Sequence, residues 1–389
     1  MSEAEHATGI SRRALVAGAL LATLPFTAEA FLSPGAQEFP PALGTLRERA
    51  EKKGLLVGTS FDLKQFNDPR MIAAIRRDSN ILVPENGFNW TRTQSAKDMP
   101  LNFKQVEPVY ELTTATHSKM RLHNLVYDLT TPKWVNELVP ELSNDKAEKL
   151  LARYIQSVLS AWGSRVCHIE VVNEPVFDLN RRHRPFVFSE KLGQAYFDIA
   201  YHTAREAAPN TLLFTNVALM EPNTSASANM RREFLAFLDD RIKENTPIDA
   251  IGIEAHLLTE APFSPEIFSS FLQEIVSRGL VFMVTELDVN DRGIFGDIAT
   301  RDAGSASLAK SFLDVALSYP QCLGLLTWNG CDRYTWLRSQ AMTGDAPGKR
   351  QRFDGQMLRP TPLDDNYQPK PLWRAIAAAI DGAPVRPMA

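Results

Sequence analysis

Three cysteines in 389 residues are too few for a disulfide scaffold. Cys322 and Cys331 flank an apparent strand, Leu323 to Trp328, whose ends at ~3.3 Å per residue lie about 20 Å apart. A disulfide needs Cα atoms within about 7 Å, so three free thiols are expected. No long Lys/Arg run occurs and the formal net charge is −4, which leaves no electrostatic footing for nucleic acid. A G-x-S-x-G elbow is absent, which argues against a serine triad. No H-E-x-x-H pair occurs, which weakens metal-assisted hydrolysis, the main chemical rival. Nor does a glycine-rich phosphate turn follow the first strand, as a doubly wound dinucleotide fold would require. Linkers, short-period repeats and low-complexity segments are also missing.

Only one apolar run resembles a membrane segment, Ala14 to Phe26, and it falls short of the ~20 residues that span a bilayer. Ser11-Arg12-Arg13 precedes it and Ala28-Glu29-Ala30 follows, an A-x-A cleavage signal. Residues 1–30 therefore read as a twin-arginine-type signal peptide, cleaved after Ala30, with the protein periplasmic or secreted and free of the membrane afterwards. Residues 31–389 form one domain.

What is present is an alternation of strands and helices. Gly54 to Phe61 is the first expected strand, followed by a helix that Asp68 caps and Pro69 opens. Further strands are expected at Ile81–Glu85, Arg121–Tyr127, Cys167–Glu174, Thr211–Val217, Ala250–His256, Leu280–Val289 and Leu323–Asn329. Amphipathic helices intervene, among them 145–162, 189–208, 265–278 and 302–319, and 371–380 closes the chain. Eight such pairs predict an α/β fold, the (β/α)8 barrel.

In such barrels the site lies at the carboxyl ends of the strands. Polar residues gather there: Glu85, Asn86 and Trp90; His123; Asn173 and Glu174; Asn216; Glu254 and His256; Glu286 and Asp288; Trp328 and Trp336. Residues i and i+2 of a strand share a face, so Glu254 with His256, and Glu286 with Asp288, are expected to project together. One such end is an ordinary strand-to-loop transition; seven in register are hard to explain as solubility. Paired carboxylates suit glycosidic-bond cleavage, which needs one acid for the leaving oxygen and one carboxylate at the anomeric carbon. Tryptophans offer flat area to sugar rings, and amides and imidazoles bond hydroxyls.

At these residues the chain resembles glycoside hydrolase family 10, the retaining endo-β-1,4-xylanases, from about Leu46 to Ile380. The motifs come in family order: Glu85-Asn-Gly-Phe-Asn-Trp90 for E-N-x-M-K-W, and Arg121-Leu-His-Asn-Leu-Val-Tyr127 for R-G-H-T-L-V-W. Ile169-Glu-Val-Val-Asn-Glu174 is similar to W-D-V-V-N-E, and Gly252-Ile-Glu-Ala-His256 to G-I-Q-S-H. Thr285-Glu-Leu-Asp288 keeps T-E-L-D intact. Trp328-Asn-Gly-Cys-Asp-Arg-Tyr-Thr-Trp336 looks like W-G-V-T-D-K-Y-S-W. The resemblance implies that Glu174 is the acid/base, Glu286 the nucleophile, and Asn173 the contact to the sugar 2-hydroxyl. His256 would orient Glu286. Glu85, Asn86, Trp90, His123, Asn216, Glu254, Trp328 and Trp336 would bind substrate, with no cofactor or metal, in a monomer acting on a polysaccharide.

Three departures touch the sugar sites: Asn89 for the family lysine, Thr130 for its glutamine, and Val217-Ala218 where the family has an aspartate and an aromatic. They leave open a different β-linked polysaccharide, such as an exopolysaccharide, as substrate. A catalytically idle carbohydrate-binding barrel is the remaining alternative, and the presence of both Glu174 and Glu286 speaks against it. Glu254 stands for the family glutamine. A third carboxyl near Glu174 would raise acid/base pKa values by like-charge repulsion.

Overall fold

The computed structural model describes residues 44–175, 186–338, 352 and 354–387. The signal segment and the basic loop Arg181–Arg184 lie outside them. Among the described residues no helix is long and apolar enough to cross a membrane. All three cysteines are free.

Nine strands occur in chain order: β1 Leu56–Phe61, β2 Ile81–Pro84, β3 Lys119–Leu122, β4 His168–Asn173, β5 Leu212–Val217, β6 Ala250–Ile253, β7 His256–Leu258, β8 Val281–Asn290 and β9 Cys322–Thr327. All pairings between them are parallel. β1 lies between β2 and β9, and β6 pairs with β8, so eight strands close into a (β/α)8 barrel. β7 is an extra short strand laid on the outer end of β8. Strands covered on both faces favour apolar side chains and leave any polar one to be paired, and β1, β2, β4 and β6 are buried at every position. Leu56, Ile81, Val83, Phe214, Ala250, Met283 and Leu326 fill the barrel, and Trp328 packs on them. Above Phe214 the Arg121 guanidinium lies 4.3 Å from the ring centroid and bonds Glu170 at 2.6 Å. This ion pair is buried on both sides. It forms the floor of the strand-end cavity.

The helices follow the expected pattern, and their caps explain where they start. Asp68 accepts from the Arg70 N–H ahead of the helix Pro69–Asp78, and Ser264 from the Ile267 N–H ahead of Pro265–Ser277. The single helix expected over 189–208 is two, Val187–Leu192 and Ala195–Ala207. Between them Gly193 sits at φ +62°, which a helix cannot continue through.

Two strands end earlier than their apolar runs. β3 stops at Leu122. Beyond it Leu125 and Val126 still donate to the Glu170 and Val171 carbonyls, so His123 is carried along β4 without being part of a regular ladder. β6 stops at Ile253, where the sequence pattern continues to His256. Ala255 at φ +61° breaks the run, and its N–H donates to the buried Glu221 carboxylate at 2.9 Å. Glu254 therefore stands just past β6, and His256 opens β7. They converge because of the kink between them.

Candidate active site

The carboxyl ends of the strands hold four non-glycine residues in the left-handed region: Glu174 at φ 47°, Leu219 at 61°, Ala255 at 61° and Asn329 at 69°. Each costs about 1–2 kcal/mol that surrounding packing must offset. Their hydrogen bonds show how. The Glu174 N–H donates to the Asn216 carbonyl at 3.0 Å, tying the end of β4 to β5. The Asn329 N–H donates to the buried Ser60 hydroxyl at 2.8 Å, tying the end of β9 to β1.

Glu286, on β8, is the centre of the cavity. Its Oε1 accepts from Asn216 Nδ2 at 2.7 Å, and its Oε2 lies 3.3 Å from His256 Nε2. His123 Nδ1 is 3.8 Å from Oε1. Asn216 cannot rotate away, since its Oδ1 accepts from the Thr285 hydroxyl at 2.6 Å. Gly252 makes this arrangement possible: a Cβ there would stand 1.9 Å from Asn216 Oδ1. The identity of a β6 residue thus controls an amide on β5 that holds a carboxylate on β8.

His256 is charged. Burial opposes the charge, but Asp288 and Glu286 together outweigh it and push the imidazole well above its ordinary pKa. Asp288 Oδ1 lies 3.0 Å from His256 Nδ1, and Asp288 Oδ2 accepts from Trp336 Nε1 at 2.6 Å. Asp288 therefore fixes the imidazole and the indole together. His123 follows the same logic. Its burial is outweighed by Glu170, 2.9 Å from Nδ1, and by Glu286.

Glu174 carries Tyr127 on it, whose hydroxyl donates to Oε2 at 3.1 Å. Sequence reasoning treated Tyr127 only as a substitute for tryptophan, and a hydroxyl in that place was the available signal. Tyr127→Phe is expected to lower kcat about 10-fold with KM nearly unchanged, roughly 1.4 kcal/mol for one hydrogen bond to a carboxyl group. Equal kcat values for the two proteins would show that the hydroxyl is idle.

The remaining expected residues divide. Asn173 is buried and its Oδ1 has no hydrogen-bond partner among the described residues. Glu85 accepts from Asn329 Nδ2 at 2.8 Å, with Lys64 Nζ at 3.5 Å; burial raises its pKa against the pull of that lysine. Asn86 donates to Asp62 at 3.2 Å. Trp328 meets His123 edge-on at 5.0 Å, and the half-buried Trp336 lies 5.0 Å from the His256 ring. Contacts link several of them: Asn329 joins Glu85 to the Trp336 backbone.

Three of the expected sugar contacts are buried. Trp90 is 2% exposed, stacked on Tyr154 with centroids 3.7 Å apart and edge-on to Trp134. It packs helices and presents no face to a sugar. Asn216 is fully buried and its amide is spent on Glu286, Glu254 and Thr285, so it positions a carboxylate. Glu254, at 3% exposure, is likewise beneath the cavity surface. Among the departures, Asn89 is folded inward with its Nδ2 on Asn86 Oδ1 at 3.1 Å, and Val217 and Ala218 are buried.

Two groups bring three potential metal-ligand atoms within 4.8 Å: His123, Glu170 and Glu286, and Glu254, His256 and Glu286. In both, the imidazole is paired with carboxylates that favour its protonated form, which has no lone pair for a metal ion. The arrangement does suit carboxylate chemistry. An amide and an imidazole hold one carboxylate, a tyrosine hydroxyl holds the other, and Trp328 and Trp336 pack on the two histidines, as in a glycoside hydrolase built on a (β/α)8 barrel.

The family model "Glycosyl hydrolase family 10" matches residues 45–379, and the chain belongs to that family. Endo-1,4-beta-xylanase 1 of Humicola insolens is 26% identical over 347 residues, covering 87% of this chain and 75% of that protein. The crystal structure of native xylanase 10B from Thermotoga maritima is similar with a TM-score of 0.76 at 26% identity, covering 87% of this chain and 98% of that one. Xylanase 10B from Thermotoga petrophila in complex with xylobiose gives a TM-score of 0.75 at 25% identity, with 87% and 98% covered.

Proposed function

We propose that the protein is a retaining endo-1,4-β-xylanase that cleaves internal β-1,4-xylosidic bonds by double displacement. The observation that carries this reading is the holding of Glu286 by Asn216 and His256, which keeps a buried carboxylate aimed and prevents it from swinging away. In the first step Glu286 attacks the anomeric carbon, the glycosidic C–O bond breaks, and Glu174 gives its proton to the leaving oxygen. In the second, Glu174 takes a proton from water, whose oxygen attacks the same carbon and releases Glu286. His256 stays protonated through both steps and stabilises the carboxylate whenever it is free. Names of relatives support the substrate: the T. petrophila structure holds xylobiose.

Residues 1–30 act as the twin-arginine signal that delivers a folded monomer to the periplasm or medium. The mature chain, 31–389, works without a cofactor.

One observation favours a second substrate. Asn89, where the resemblance expects a lysine, is turned onto Asn86 and offers the sugar no charge. A different β-linked polysaccharide is then the competing reading. Reducing-end release from xylan, cellulose, mannan, mixed-linkage glucan and bacterial exopolysaccharides decides between them. Xylan is expected to be cleaved fastest, with internal cuts producing short oligosaccharides. Faster release from another polymer would reassign the substrate and leave the mechanism in place.

A further inference from the structure

Glu254 is a third carboxyl, buried beside Glu286, and the double displacement has no use for it. It stands just past β6, buried, with Oε1 3.3 Å from Asn216 Nδ2. The same Nδ2 is 2.7 Å from Glu286 Oε1. On its other side Glu254 Oε2 lies 3.9 Å from His256 Nε2, which is 3.3 Å from Glu286 Oε2. Oxygens of the two carboxyls and the imidazole nitrogen fall within 4.8 Å of one another. Glu254 and Glu286 therefore face the same two donors, and both donors sit closer to Glu286.

That asymmetry is stable only while Glu254 carries no charge. We propose that Glu254 is a positioning residue that works as a neutral carboxylic acid: protonated, it leaves Asn216 and His256 to Glu286, and on losing its proton it competes for both. This inference rests on the proposed glycosidase chemistry.

The surroundings favour the proton. From β4 come Glu170 and Glu174, and from β8 Glu286 with Asp288 beyond it. His256 on β7 is the facing cation. His123, after β3, and Arg121, on it, are both engaged with Glu170, and Glu221 is bound to the Ala255 N–H. Tyr127 adds a hydroxyl on Glu174. Burial comes first, then Glu174 and Glu286, in pushing the Glu254 carboxyl well above the usual carboxylate range; His256 pulls the other way and is outweighed. Like-charge repulsion thus acts on Glu254 itself.

Glutamine is the closest non-ionising replacement, so Glu254→Gln separates shape from charge. The informative substrate is an aryl β-xylobioside with a dinitrophenol leaving group, whose departure needs no proton and so does not report Glu174 as an acid. The wild-type kcat/KM on it is expected to fall on the alkaline side. In Glu254→Gln that fall should move up by at least about one pH unit. Coincident alkaline limbs would overturn the proposal. So would a uniform loss at every pH, which is what a merely structural residue gives. Infrared difference spectra of wild type minus Glu254→Gln at pH 8 supply a readout independent of turnover. A protonated-carboxyl C=O band is expected in wild type and absent from the variant. Its absence from wild type would overturn the proposal even in an active enzyme. Its presence in a protein that cleaves no glycoside would instead indict the functional reading.

Discussion

Glu286→Ala is expected to lower kcat on xylan by on the order of 10⁴-fold or more, about 5.5 kcal/mol in the barrier. The variant removes the atom that bonds to the anomeric carbon, while the machinery around it stays. Asn216 Nδ2 and the charged His256 still point at the vacated volume, because their own anchors, Thr285 and Asp288, are untouched. Two donors and a hole make a site for a small anion. Added azide is therefore expected to restore turnover of an activated aryl glycoside. It enters from the side opposite the leaving group, so the product is the α-glycosyl azide, of inverted configuration. Unchanged turnover in Glu286→Ala would support the idle-barrel alternative. Recovery as the β-glycosyl azide would mean that Glu286 is the acid/base.

Glu174→Ala has the next largest expected effect, and its signature depends on the leaving group. On xylan, whose leaving sugar hydroxyl needs a proton, kcat should fall by about 10³-fold, in the range for a lost general acid. On the dinitrophenyl glycoside the first step needs no proton and should proceed nearly as in wild type. Hydrolysis of the glycosyl-enzyme then lacks its base, so kcat and KM fall together and a burst of dinitrophenol precedes slow turnover. Azide needs no deprotonation and should release the intermediate as the β-glycosyl azide. Equal losses on both substrates, with no burst, would assign Glu174 a structural role. The strained φ of Glu174 makes folding a necessary control; retained thermal unfolding would show that the loss is chemical.

The two pairs of signatures are opposite in stereochemistry and in leaving-group dependence. That opposition follows from geometry: one carboxylate is clamped by an amide and an imidazole, the other by a hydroxyl group that can rotate with its proton.

Much of this site was readable along the chain. Apolar runs buried on both faces, separated by amphipathic helices, predict a parallel barrel, and a barrel puts its strand ends at one mouth. Glu286 and Asp288 share a face simply because β8 continues to Asn290. Where a strand stopped short, the same rule gave the right residues for the wrong reason. Glu254 and His256 meet across the Ala255 kink, which no periodicity announces.

Trp90 shows the opposite failure. Its motif places it beside Glu85 and Asn86, but the ring faces Tyr154, 64 residues on, and that helix packing is a through-space fact. Asn216 was read as a sugar contact because it ends a strand. Only the register of β5 against β6 and β8 brings its amide between two carboxyls and opposite a glycine.

By itself, then, the sequence determined which chemistry the chain could carry: two carboxylates, an orienting histidine and a barrel to face them, all set by residue type and local period. The tertiary structure alone decided the charge states and the division of labour. Which carboxyl receives the amide, which keeps its proton, and which tryptophan is buried depend on distances between residues remote in sequence, and both Coulomb interaction and desolvation act through those distances.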